Sequence, residues 1–198
     1  MKIETYILGP LGTNTYLLQE GNDVILIDPA SKAEKLIDIL GDRNLIGILL
    51  THGHFDHIKA VDGLYEKYKC PVYLHEADEY IARDKYAGAD FGLSAYITCP
   101  TIHLNEGKLN IGPFNIEVVY TPGHTPGSVI FIEEDNIFTG DTLFKGSVGR
   151  TDLDGGNASL LRESLRFFKS LNKDYYIYPG HDLSSKLSYE LDTNYFLR

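Results

Sequence analysis

The sequence predicts an α/β fold. Two observations carry that reading. Short strand-like runs and amphipathic helical stretches follow one another as strands then helix, and this order occurs twice along the 198 residues. Four of the loops that follow a strand-like run also carry His and Asp donors, beginning with "THGHFDH" at 51–57. The length suits one domain, residues 1–198, with a substantial core.

The elements read in order. "IETYIL" and "TYLLQ" flank a Gly/Pro/Asn turn, and "DVILIDP" follows "EGN", which predicts a three-stranded meander. "SKAEKLIDIL" opens with Ser31 and, three residues later, Glu34, the pattern of a capping box. Ala33, Leu36, Ile37 and Leu40 form its apolar face and Gly41 stops it. "LIGILLT" is a continuous apolar run, expected to be a buried strand that delivers the histidine cluster at its carboxyl end. Ile58, Val61, Leu64, Tyr65 and Tyr68 then recur at helical spacing. The segment from Asp78 to Pro100 is irregular and aromatic, and reads as a helix plus a long surface loop, either a lid or simple packing. The second half repeats the theme. "GPFNIEVVYTPGHTPGSVIFIEEDNIFTGD" alternates strand patterns with tight turns, "NASLLRESLRFF" is an amphipathic helix, and "YYIYPGHD" is a strand ending in a loop. A last helix is expected from about Ser184.

Composition narrows the function classes. An apolar share of 43% and a charged share of 23% are those of a globular chain. The formal charge of −10 disfavours nucleic acid and anionic membranes as partners. The N-terminal stretch mixes charges among its apolar residues, and no segment approaches 18 consecutive apolar residues, so neither a signal peptide nor a membrane span is expected. Cys70 and Cys99 lack partners at metal spacing and read as buried thiols in a reducing, cytoplasmic setting.

The donors accumulate at strand ends. After His52, His54, Asp56 and His57 come His124 in "TPGHTPGS", Asp141 in "FTGDTLF" and His181 in "YPGHD". One zinc or similar divalent ion takes four to six donors, so seven exceed one ion and suit two. His75 and His103 fall outside these motifs and read as incidental.

These four motifs, in this order and rough spacing, resemble the metallo-β-lactamase superfamily over nearly the whole chain. The run "GDTLFKGSVGRTDLDGG" is similar to the glyoxalase II-like branch, the hydroxyacylglutathione hydrolases and their short relatives. The resemblance implies a four-layer αβ/βα sandwich, two mixed sheets covered by helices. It implies one divalent ion on His52, His54 and His124, a second on Asp56, His57 and His181, and Asp141 bridging them. Zinc is the first choice, with iron or manganese compatible with the same donors. Asp28 matches a supporting aspartate near the site. The implied activity is hydrolysis of a small-molecule thioester, of the hydroxyacylglutathione type, by attack of a hydroxide generated on the metals. Asp56 would orient that hydroxide, and Arg150 would meet the thiol-bearing part of the substrate.

Two departures stand out. The longer enzymes carry a C-terminal helical domain that grips glutathione, whereas this sequence runs one helix past His181. They also have a tyrosine where this chain has Leu183. The rival reading is a mononuclear iron persulfide dioxygenase, which shares the motif set and a "GRTD" run. A nuclease and a non-catalytic metal-binding module are the remaining classes, the first disfavoured by the acidic charge and the second by the complete donor set.

Overall fold

The computed structural model describes residues 1–89 and 92–198; Asp90 and Phe91, within the candidate lid segment, lie outside the described residues. Its first sheet has six strands in the order β1-β2-β3-β4-β5-β6. They are β1 (Lys2–Leu8), β2 (Thr13–Glu20), β3 (Asp23–Ile27), β4 (Asn44–Leu49), β5 (Val72–Leu74) and β6 (Ile102–His103). The first three form the expected antiparallel meander, and β4, β5 and β6 are added in parallel. The second sheet has β7 (Gly107–Ile111), β8 (Phe114–Tyr120), β9 (Val129–Glu133), β10 (Asn136–Gly140), β13 (Tyr176–Pro179) and β14 (Ser185–Lys186), in the order β14-β13-β10-β9-β8-β7. A small ribbon of β11 (Leu143–Phe144) and β12 (Ser147–Val148) stands apart.

Alternation along the strands builds four layers, because successive side chains point to opposite faces. In β3, Val24 and Leu26 face outward onto α1 (Ala33–Leu40) and α3 (Val61–Tyr68), in a core with Leu36, Leu40, Val61 and Leu64. Ile25 and Ile27 face inward, into a second core with Phe114, Val118, Phe131 and Phe138 of the other sheet. In β9, Val129 and Phe131 share that inner core. Ile130 and Ile132 face the other way, onto Leu161 and Leu165 of the segment formed by α5 (Ala158–Ser164) and α6 (Arg166–Ser170), and onto Leu187 of α7 (Leu187–Thr193). Helices, sheet, sheet, helices is the αβ/βα sandwich.

Several local expectations need correction. Ser31 is not the cap of α1. It sits at φ +85° and Lys32 takes the cap position without a side-chain hydrogen bond, so the Ser31/Glu34 box does not form. The helix after the histidine cluster is broken into α2 (Phe55–Ile58) and α3, with Lys59 and Ala60 between them. "NASLLRESLRFF" likewise forms two short helices, the first capped by Asn157, whose side chain accepts from the Ser159 and Leu160 amides. The last helix starts at Leu187 because Ser185 and Lys186 are used as a strand against β13.

The segment after Asp78 contains α4 (Glu79–Ala82) and then a long loop. Arg83 pins that loop by donating to the carbonyls of Ile97 and Cys99, and Asp62 of α3 accepts from the Thr98 and Cys99 amides. Cys70 and Cys99 are buried and unpaired, and burial pushes both thiols up, to about 11 and about 12.

Candidate metal centre

All seven expected donors come together at one edge of the sandwich, at the ends of strands from both sheets. The loop after β4 brings His52 and His54, and α2 brings Asp56 and His57. The β8–β9 turn brings His124, β10 is followed directly by Asp141, and β13 leads into the loop carrying His181. The sheets are tied where they meet, since the Val129 amide at the start of β9 donates to the Thr51 carbonyl past the end of β4 (2.9 Å).

The donors fall into two groups. His52, His54 and His124 have ligand nitrogens within 4.8 Å of one another, as have the ligand atoms of Asp56, His57 and His181. Asp141 faces both groups. Its Oδ2 lies 3.4 Å from His124 Nε2 and 3.6 Å from His181 Nε2, and its Oδ1 lies 3.4 Å from His57 Nε2.

Hydrogen bonds on the far side of two rings fix which nitrogen points inward. His57 Nδ1 is 2.9 Å from Asp28 Oδ2, and His124 Nδ1 is 2.8 Å from the Arg150 carbonyl. A carboxylate and a carbonyl only accept, so both Nδ1 atoms carry the proton and each ring turns Nε2 into the cluster. Asp28 also accepts from the Thr51 amide (2.8 Å) and hydroxyl (2.6 Å), which gives the expected supporting aspartate a complete set of donors.

A divalent ion fits this donor set on the structure's own terms. His52 Nε2 and Asp141 Oδ1 are buried without a hydrogen-bond partner, an arrangement that costs free energy unless a ligand satisfies it. Burial, reinforced by the neighbouring imidazoles, holds His52 well below the usual histidine range, and burial with His124 holds His54 down at about 3. These imidazoles keep their lone pairs at neutral pH. At the other end burial pushes His57 down, but Asp56, Asp141 and Asp28 outweigh it and raise that ring to about 10. The three carboxylates favour positive charge at that end of the cluster, as a bound cation would supply. Asp56 is held below its ordinary range because His57, His181 and the Thr13 hydroxyl outweigh its burial.

Glycines let the loops approach this closely. A Cβ at Gly180 would stand 2.1 Å from Asp141 Oδ1, and one at Gly149 would stand 1.8 Å from the Asp141 carbonyl.

Three residues near the donors carried no signal in the sequence. Asp78 is fully buried beneath two of the histidine loops. It accepts from the Gly53 amide (2.8 Å), the Thr125 hydroxyl (2.7 Å) and the Gly127 amide (2.5 Å), and its burial outweighs these bonds to push its carboxyl up. Thr13 donates to Asp56 Oδ2 (2.9 Å). Asn14 holds the His181 loop through the carbonyls of Pro179 and Asp182. Each reads in sequence as turn or loop polarity.

The other candidates lie apart. His75 caps the turn before α4 and stacks on Tyr120, and His103 is exposed beside Glu79. Arg150 contributes its carbonyl to His124, while its exposed guanidinium pairs with Asp152 through two hydrogen bonds (2.7 and 2.8 Å).

The profile of the metallo-β-lactamase superfamily matches residues 8–181, from the end of β1 through His181. The chain belongs to this superfamily. A probable metallo-hydrolase, YqgX of Bacillus subtilis, is 37% identical, with 100% of this chain and 98% of that one covered. The hydroxyacylglutathione hydrolase GloC of Haemophilus influenzae is 34% identical over 100% of this chain and 98% of its own. Among solved structures, BLEG-1, a B3 metallo-β-lactamase, superposes with a TM-score of 0.92 at 38% identity, covering 99% of each chain. TTHA1623, solved in a di-iron-bound form, gives 0.91 at 38%, covering 98% of this chain and 100% of that one. ETHE1 from Myxococcus xanthus gives 0.82 at 27%, covering 98% and 84%. The superfamily therefore agrees with the layered fold and with a metal-dependent hydrolase. No helix among the described residues is long and apolar enough to cross a membrane.

Proposed function

We propose that the protein is a thioester hydrolase of the hydroxyacylglutathione type, working with two divalent ions. The observation that carries this reading is the full-length likeness to the hydroxyacylglutathione hydrolase GloC, laid over a donor cluster in which Asp141 faces both ligand groups. His52, His54 and His124 would hold one ion, Asp56, His57 and His181 the other, and Asp141 would touch both. Zinc is the first choice, and the di-iron form of TTHA1623 keeps iron in view. Bound there, the ions supply Lewis acidity that acidifies water to a pKa of about 7 and polarises a carbonyl.

The chain's own residues do the rest. Asp28 and the Arg150 carbonyl hold His57 and His124 in the Nδ1–H tautomer. Asp56 Oδ2 is engaged by Thr13 and lies 3.2 Å from His181 Nε2, which leaves Oδ1 to orient the attacking water. The leaving thiol, with a pKa of about 8.5, departs as thiolate without a general acid. That suits a cluster whose histidines are all committed as ligands. Arg150 would exchange Asp152 for a substrate carboxylate.

The second reading, a mononuclear iron persulfide dioxygenase, draws on the likeness to ETHE1 and on the "GRTD" run. One assay panel tests both. The metal-loaded protein is given lactoylglutathione, glutathione persulfide with oxygen uptake monitored, and a cephalosporin. Hydrolysis of the thioester with two ions per chain is expected. Oxygen uptake with one iron would establish the dioxygenase, and turnover of the cephalosporin alone would overturn the thioester reading.

A further inference from the structure

A well-formed groove lies beside the histidine cluster, not over it. It runs, with a volume of about 820 Å³, between the α5–α6 segment, the 148–151 loop and the turn Tyr195–Leu197. That is the size of a small-molecule site. Its lining is unlike the rest of this acidic chain. Five cations border it, namely Arg150, Arg162, Arg166, Lys169 and Arg198, and no carboxylate side chain does. Arg150 is paired with Asp152, and Arg198 donates to the Asp192 carbonyl. Arg162, Arg166 and Lys169 are exposed, and their side chains make no hydrogen bond or ion pair among the described residues. Their spacing of four and three residues puts them in one row along α5–α6, above a floor that includes Leu161 and Leu165.

The groove is also lined by aromatic side chains. Tyr195 is 78% exposed and Phe196 is 49% exposed, although the turn that carries them is firmly held. Leu197 is buried in the core of α5–α7. The fully buried Asn194 donates to the carbonyls of Phe144 and Ser147 and accepts from the Phe196 amide. A fixed turn that holds two aromatic rings in solvent, bordering the same groove as a row of unpaired cations, makes a surface suited to a flat ring attached to anions. Guanidinium groups pair with phosphate oxygens in bidentate fashion, and bases stack on aromatic side chains.

We propose that this groove binds a phosphorylated nucleotide, with its phosphates on Arg162, Arg166 and Lys169 and its base against Tyr195 and Phe196. Such an occupant has two sources: a free nucleotide, or the nucleotide portion of a thiol carrier of the coenzyme A kind. In the second case the groove would serve as a handle for a thioester, since Gly149 and Arg150 line it and also lie against His124.

The test is titration calorimetry of the full chain with adenosine 3′,5′-bisphosphate and with inorganic pyrophosphate, at low ionic strength where surface charge is least screened. Saturable nucleotide binding is expected, weakened at least about tenfold in Arg162→Ala/Arg166→Ala and several-fold in Tyr195→Ser, with pyrophosphate weaker than the nucleotide. All three positions are exposed, so the variants should fold, and circular dichroism confirms it. Absence of saturable binding up to about 1 mM, a free energy weaker than about −4 kcal/mol, overturns the proposal. So does binding that the double variant leaves unchanged, or a wild-type dimer that the double variant dissociates, which would assign the groove to a second copy. Hydrolysis of a coenzyme A thioester against the matching pantetheine thioester separates the two sources. A preference for the former that the double variant abolishes marks the substrate handle, and equal rates alongside nucleotide binding mark a free nucleotide.

Discussion

Asp78 Oδ2 accepts the Thr125 hydroxyl at 2.7 Å and the Gly53 amide at 2.8 Å, so one carboxylate joins the "THGH" loop to the "TPGHTPG" loop, from 25 positions after the first and 47 before the second. All three groups that reach Asp78, including the Gly127 amide, are donors. Asp78→Asn would turn an amide NH2 toward at least one of them, leaving a buried donor unsatisfied at about 1–3 kcal/mol. The expected result is a fall in metal affinity and in kcat/KM of about 10–100-fold, with no ligand removed. Full metal content and full activity in the variant would show that the loops stand without the link.

Gly180→Ala places a methyl where Asp141 Oδ1 and His57 Cε1 now lie, 2.1 and 2.8 Å away. Because Asp141 faces both ligand groups, occupancy of both ions should drop together. Elemental analysis after metal loading checks this, and selective loss of one ion would contradict the shared role of Asp141. Asp141→Ala should give the same paired loss.

Phe131 is fully buried in the core between the sheets, beside Phe114 and Phe138. Phe131→Ala should cost about 3–5 kcal/mol in urea unfolding. A cost below about 1 kcal/mol would mean that the sheets close up around the lost ring.

Asp62 anchors the long loop after α4. Its burial raises its carboxyl, but the Thr98 and Cys99 amides outweigh that and set it below its ordinary 3.8. A depressed acid stabilises above its unfolded pKa and loses that contribution as pH falls through the folded value. The anchor should therefore hold above pH 3.8 and release below it. Amide exchange at Thr98 and Cys99, corrected for intrinsic pH dependence, should show protection lost under acid in the wild type and at every pH in Asp62→Ala. Protection that survives in the variant would place the anchor elsewhere, with Arg83 the nearest alternative.

Much of this was legible in the sequence because the donors are consecutive or bracketed by turns. His52, His54, Asp56 and His57 span six positions, and His124 and His181 each follow a Pro-Gly step. The layered core was legible as apolar runs, but its four-layer arrangement came only through the family resemblance. Asp78, Thr13 and Asn14 escaped because their partners are 25 to 168 positions away and nothing local marks a buried acceptor. Ser31 misled for the opposite reason. Its local pattern is that of a cap, but the chain turns there with φ +85° to leave Asp28 beneath His57. Short helices were over-joined since hydrophobic periodicity continues across the breaks at Lys59 and Leu165.

The proposed ligand sets draw on both sheets at once, with His52, His54 and His57 following β4, and His124, Asp141 and His181 on turns of the second sheet. An ion held by such a set acts as a chelate cross-link between distant stretches of chain, as a disulfide would, but one that can be removed by titration. Unfolding would have to open that ring, so occupancy and folding become a single linked equilibrium. Free metal at a thousand times its dissociation constant would add about 4 kcal/mol to the native state, and a chelator would withdraw it. The same edge that assembles the chemistry would thus also fasten the two halves of the sandwich.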